Sequence, residues 1–257
     1  MYDLPPKAYD PSQPMVFQHI PKCAGTSVRK IFSRWFGEHL YGHYFDNLTS
    51  TPPTKVDLIE AQAKAASNGG AVCVFGHFNG SRGFGYRDYY PEVAQILTII
   101  RDPFEHHISN YYFAKKKVAA GKFDLPLARL LKDHNMGVEE YLTSHQSYLG
   151  SFFPSEMDEK NYPEKLRDEF LFIGITERLN ESILDLAQLL RKPKCRVPRE
   201  NVSTRDDGVS SAKFRALFEK KNEFVCEVYR ECGVIFEERR RKSFRERLFK
   251  RFRSRGA

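Results

Sequence analysis

Short β-branched and aromatic runs alternate with helical periodicities along most of this chain. Met15-Val-Phe17, Ala71-Val-Cys-Val-Phe75 and Gln95-Ile-Leu-Thr-Ile-Ile100 are too short to cross a membrane and apolar enough for strands buried on both faces. After the first run, Val28, Ile31, Phe32, Trp35 and Phe36 recur at helix spacing, so a helix opens near Thr26. Further helical patterns lie around 55–66, 104–118, 138–142, 181–190 and 211–229. Strands alternating with helices predict an α/β fold: a single P-loop-like domain with a mostly parallel central sheet flanked by helices. The 257 residues suffice for one core, with residues 1–14 as an extended arm, 15–238 as the main domain and 239–257 as a tail.

Charge changes the picture only at the C-terminus. Residues 239–257 hold ten Lys/Arg against one acid, Glu246, and account for the whole net charge of +8. Phe244, Leu248, Phe249 and Phe252 make one apolar stripe on that basic segment, a pattern shared by membrane-surface helices, polyanion-binding helices and helices docked on a core. No recognition motif for nucleic acid accompanies the charge. The five cysteines form no regular framework, no His/Cys/carboxylate cluster has metal-ligand spacing, and no signal or transmembrane run opens the chain. The expectation is a metal-free cytoplasmic protein, peripheral at an anionic membrane if the tail acts there.

Chemistry concentrates where the first strand meets the first helix, Gln18-His-Ile-Pro-Lys-Cys-Ala-Gly-Thr-Ser-Val28. Unpaired N–H groups at a helix start, with the positive end of its dipole, favour an anion. Gly25 permits close approach, Thr26 and Ser27 add hydroxyls, and Lys22 adds a cation beside Cys23 and Ala24. A nucleotide triphosphatase would place its lysine directly after a second glycine, and this chain does not. Cys23-x5-Arg29 also has the spacing of cysteine phosphatases, in which a thiolate attacks phosphorus and an arginine clamps the oxygens.

A second anion motif follows the third run. Arg101-Asp-Pro-Phe-Glu105 places Asp102 as N-cap, Pro103 at the first helical position and Glu105 to close a capping box. Arg101 sits at a strand end and Ser109 about two turns on, although a structural ion pair would use Arg101 equally well. Two anion grips suit a ligand phosphorylated at both ends. Gly76-His77 follows another strand end, where an imidazole can act as a base near neutral pH. His19 is expected to face the core, and His106 and His107 ride the second-motif helix.

Pro21-Lys-Cys-Ala-Gly-Thr-Ser27 followed by Arg101-Asp-Pro-x5-Ser109 resembles the two cofactor motifs of carbohydrate sulfotransferases, the group with the heparan sulfate 2-O-sulfotransferases and related bacterial enzymes. The resemblance implies 3′-phosphoadenosine 5′-phosphosulfate as donor and adenosine 3′,5′-bisphosphate as product. The first motif would hold the 5′-phosphosulfate, Arg101 and Ser109 the 3′-phosphate, and His77 would be the base with Lys22 at the leaving group. Glu200-Asn-Val-Ser-Thr-Arg205 resembles the family's nucleotide-closing loop, implying contacts from Ser203, Thr204 and Arg205. His106 stands where many members have a second arginine. Animal members are Golgi-anchored, so a Golgi-lumenal location follows if the chain is a trimmed form. The loop 81–90 offers Arg82, Tyr86 and Arg87 for a carbohydrate or glycolipid acceptor, with His145 and Tyr148 as a second wall, because rings stack on sugar faces and arginines grip acidic groups.

Overall fold

The computed structural model describes residues 8–197 and 212–253, with the backbone alone for 244–253. In chain order the elements are β1 (Met15–Gln18), α1 (Gly25–Phe36), β2 (Leu40–His43), α2 (Leu58–Ser67), β3 (Cys73–Gly76), α3 (Tyr86–Tyr89), β4 (Gln95–Ile100) and α4 (Pro103–Ala119). They continue with α5 (Pro126–His134), α6 (Val138–Ser144), α7 (Tyr162–Glu169), β5 (Phe170–Ile175), α8 (Leu179–Leu189), α9 (Ala212–Lys221) and α10 (Glu223–Arg253). The strands form one sheet in the order β2-β3-β1-β4-β5, and every pair is parallel. All strand C-termini therefore share one edge.

Side-chain alternation divides the core. Met15, Phe17, Cys73, Phe75, Leu97, Ile99 and Phe172 face Val28, Ile31 and Phe32 of α1 and Ile183 and Leu186 of α8. Phe17 stacks on Phe75 with centroids 4.7 Å apart. The intervening positions Val16, Val74, Ile96, Ile100, Ile173 and Ile175 face α2, α4 and α10. Both faces are covered, which is why the central strands read as continuous apolar runs rather than alternating ones.

Two departures from the sequence pattern have local causes. The helix expected over 211–229 is broken between α9 and α10, where Asn222 donates from Nδ2 to the Phe218 carbonyl and accepts from the Ser147 N–H. An amide side chain competing for backbone groups ends a helix in this way. Strand β2 was not legible because Leu-Tyr-Gly-His carries no apolar run and most of it is partly exposed. The basic segment does not begin at a break: α10 runs through residue 238 into it. Arg239 donates to the Leu171 carbonyl and lies over Phe172 (5.3 Å), while Ser243 accepts from Gln188, so the first turns after Glu238 dock on the β5 edge and α8. The Phe244–Phe252 stripe lies outside the described side chains, and no described helix is long and apolar enough to cross a membrane.

Candidate active site at the C-terminal sheet edge

The turn after β1 could hold an anion. Lys22 and Ala24 adopt left-handed backbone conformations (φ 66° and 58°), and α1 starts at Gly25 without a side-chain cap on its first N–H groups. Two left-handed residues flanking the buried Cys23, whose N–H donates to the Ile20 carbonyl (3.2 Å), fold the chain into a tight loop ahead of the helix start. The loop is held from behind: His106 Nε2 donates to the Pro21 carbonyl (3.0 Å) and Arg101 Nη1 to that of Lys22 (3.2 Å). Ser27 is buried and Thr26 exposed. The Lys22 ammonium lies 3.9 Å above the Phe113 ring. Burial, then the nearby Arg101 charge, lower its pKa to about 8. A cation destabilised in this way gains more from an arriving anion than a solvated one.

His77, directly after β3, sits on the same edge. Its Nδ1 donates to the His19 carbonyl at 2.6 Å. A carbonyl can only accept, so the neutral ring keeps its proton on Nδ1 and presents Nε2 as a lone pair. Burial lowers its pKa, with the Arg29 charge adding to that and the carbonyl bond opposing it. The Tyr44 ring packs edge-on against His77 (5.0 Å), and Arg29 lies 5.0 Å over Tyr44. His19, expected to face the core, packs against the core residue Phe75 (5.3 Å), and its ring also lies 4.3 Å from that of His77, in the site.

Cys23 cannot serve as a phosphatase nucleophile. It is 2% exposed, and burial pushes its thiol up to about 12, overriding the nearby Arg101. A thiol at that pKa is protonated at neutral pH and inert. Arg29 is occupied over Tyr44 rather than clamping oxygens beside sulfur. Cys23→Ser is therefore expected to leave turnover within about twofold of wild type and to abolish no aryl-phosphate hydrolysis, as a colorimetric phosphatase assay will show.

The second motif folds as expected, with one change. Asp102 accepts from the Glu105 N–H (2.9 Å), but Glu105 does not return the bond. Glu177, just beyond β5, takes the Asp102 N–H instead (3.1 Å). Arg101 is paired with Glu105 (3.6 Å) and Glu177 (4.0 Å), so it braces the β1 turn, and an incoming phosphate would compete with two carboxylates. Ser109 is half-buried two turns along α4. Arg215 of α9 was not singled out from the sequence, yet it pairs with Asp102 (2.9 Å) and Glu105 (3.7 Å). Ser203, Thr204 and Arg205 lie outside the described residues.

Of the acceptor candidates, two have structural employment. Tyr86 is buried in the core against Phe78, and Arg87 is tied to Glu169 (2.6 Å) and to the carbonyls of Pro91 and Val93. Arg82 is exposed and stacks over Phe45 (4.2 Å) and Phe84 (4.8 Å). Tyr148 packs against His106 and donates to Asn110 (3.4 Å), close behind the β1 turn. His145 stacks on Tyr141, which also packs against His107 and Tyr111. His106 is fully buried, donates from Nε2 and has its pKa lowered to about 3 by burial, so it is no substitute base.

No model of a protein family matches this chain, and no curated protein matches it. Among solved structures it is similar to the mouse sulfotransferase SULT7A1 complexed with PAP, at 12% identity and a TM-score of 0.37, over 84% of this chain and 68% of that one. A sulfotransferase from Alicyclobacillus acidocaldarius is similar at 15% identity and a TM-score of 0.39, over 84% of this chain and 97% of the other. TM-scores this low carry no argument about the reaction, which has to be read from the residues themselves.

Proposed function

We propose that this chain is a sulfotransferase that moves the sulfuryl group of 3′-phosphoadenosine 5′-phosphosulfate to a hydroxyl of a carbohydrate or glycoconjugate. The observation that carries the reading is His77, with Nδ1 committed to a carbonyl and Nε2 without a hydrogen-bond partner among the described residues, on the same sheet edge as the lysine-bearing turn. A base at one end and an anion cradle at the other are what group transfer to a hydroxyl needs.

The residues fit the donor. The left-handed turn leaves the first N–H groups of α1 without a side-chain cap, and the partly buried Lys22 ammonium lacks a carboxylate partner among the described residues. When bound, the nucleotide supplies a sulfuryl group on a good leaving phosphate. His77 Nε2 would take the proton of the acceptor's hydroxyl as that oxygen attacks, with the 5′-phosphate as leaving group. Lys22 and the α1 N–H groups meet the charge that develops on the departing bisphosphate. Arg101 fixes the turn, and Ser109, two turns along α4, would hold the 3′-phosphate. The basic segment after Glu238 would keep the enzyme near an anionic membrane carrying its acceptor.

Labelled sulfuryl transfer to a panel of polysaccharides, glycolipids, phenols and peptides tests the acceptor class. Incorporation into sugars is expected. Transfer confined to phenols or peptides would refute the carbohydrate assignment and leave the donor assignment standing.

A further inference from the structure

The proposed reaction leaves one imidazole of the site without a task. The ring of His19 is wedged between the first turn of α1 and the base. A Cβ added at Gly25 would lie 1.4 Å from His19 Nε2 and about as badly against the neighbouring ring carbons, at 2.1 and 2.2 Å. The ring therefore rests directly on the backbone of the helix start, and only glycine leaves it room. Its other side meets His77, with centroids 4.3 Å apart and planes 34° from parallel. Nδ1 lies 3.4 Å from the Tyr44 hydroxyl, and Nε2 has no hydrogen-bond partner among the described residues.

The protonation state follows from the surroundings. Burial holds His19 well below the ordinary histidine range, and the charges of His77 and Arg29 push the same way, so the ring is neutral with one proton. Tyr44 keeps its proton, because burial raises it to about 12. With the Tyr44 hydroxyl as donor to Nδ1, one of the two arrangements this 3.4 Å contact allows, the His19 proton sits on Nε2, the atom against Gly25.

We infer that His19 is a further ligand-contacting residue of this site, donating from Nε2 to the oxyanion held between the α1 turn and His77. The inference rests on the nucleotide reading above. It gives Gly25 a second reason to be glycine, the space required by this ring, beyond the close approach of an anion. It also accounts for an imidazole lying between cradle and base, where an apolar side chain would offer nothing to the transferring oxygens.

Calorimetry with adenosine 3′,5′-bisphosphate tests it on wild type, His19→Gln, His19→Leu, Gly25→Ala and the double variant Gly25→Ala/His19→Ala, each checked for a cooperative thermal melt. Loss of one hydrogen bond to a charged group should weaken binding by about ten- to a hundredfold in His19→Leu. His19→Gln, whose amide nitrogen reaches a similar place, should recover most of that. Gly25→Ala alone should bind worst, because its methyl expels the ring, and the double variant should bind no worse than His19→Leu. Wild-type affinity in His19→Leu would overturn the inference while leaving the nucleotide reading intact. If wild type itself binds no bisphosphate, the nucleotide reading falls, and this inference falls with it.

Discussion

His77→Ala is expected to lower turnover by about a hundred- to ten-thousand-fold, the usual worth of a general base, while leaving affinity for adenosine 3′,5′-bisphosphate nearly unchanged. The split follows from the geometry. Nε2 is the only ring nitrogen of His77 left to accept a proton, since Nδ1 is spent on the His19 carbonyl, and the anion turn is built by other residues. The pH profile of the wild-type kcat should fall on the acid side, where the imidazole becomes protonated. Because burial lowers the His77 pKa, that limb should lie below the ordinary histidine range, and activity should be full at pH 7. His77→Asn should share the loss, keeping a hydrogen bond to the carbonyl but no base. Single-turnover kinetics with a saturating donor separate the chemical step from binding. Near-normal turnover in His77→Ala would place the base elsewhere, and neither His106 nor Cys23 is available, both being buried in states useless for proton abstraction.

Lys22→Ala should damage both binding and turnover, because the ammonium meets the donor's charge in the ground state and more strongly as the bisphosphate departs. Removing one such donor typically costs about a hundred- to a thousandfold in kcat. A further signature separates charge from packing. With the Lys22 pKa lowered to about 8, the ammonium is present below that pH and lost above it. Bisphosphate affinity should therefore decline as pH rises from about 7 to 9, in the same interval in which Lys22 deprotonates. Lys22→Arg remains charged throughout and should lose the alkaline decline even if its absolute affinity is lower. A pH series of calorimetric titrations reads both effects. An alkaline decline that persists in Lys22→Arg would assign it to another group.

How much of this was legible beforehand depended on sequence distance. The β1 turn, the Asp102 cap, the six residues of β4 and the position of His77 all rest on contiguous residues, whose spacing and caps carry their own signal. Tyr44 was missed because it follows β2, a strand of mixed polarity that gave no periodicity. His19 follows the alternation of β1 to the α1 face, where its ring lies against Phe75 and Gly25; what the sequence did not show is that at the end of the strand this face also meets His77. Glu177, just after β5, and Arg215, in α9, lie far along the chain, and only the fold brings them to Asp102. Tyr86 and Arg87 show the opposite error: aromatic and cationic residues in a loop look like a sugar surface, but burial and Glu169 had already claimed them. The two short motifs lie side by side because β1 and β4 are adjacent parallel strands whose C-terminal ends share one sheet edge.

The account stands on the claim that the sheet edge holds a nucleotide phosphorylated at both ends. Calorimetric titration of the wild-type protein with adenosine 3′,5′-bisphosphate and, side by side, with 5′-AMP tests that claim most directly. The account predicts one-to-one binding of the bisphosphate and an affinity for 5′-AMP weaker by about tenfold or more, the worth of one charge-assisted phosphate contact. Equal affinity for the two nucleotides, or no binding of either, would contradict it.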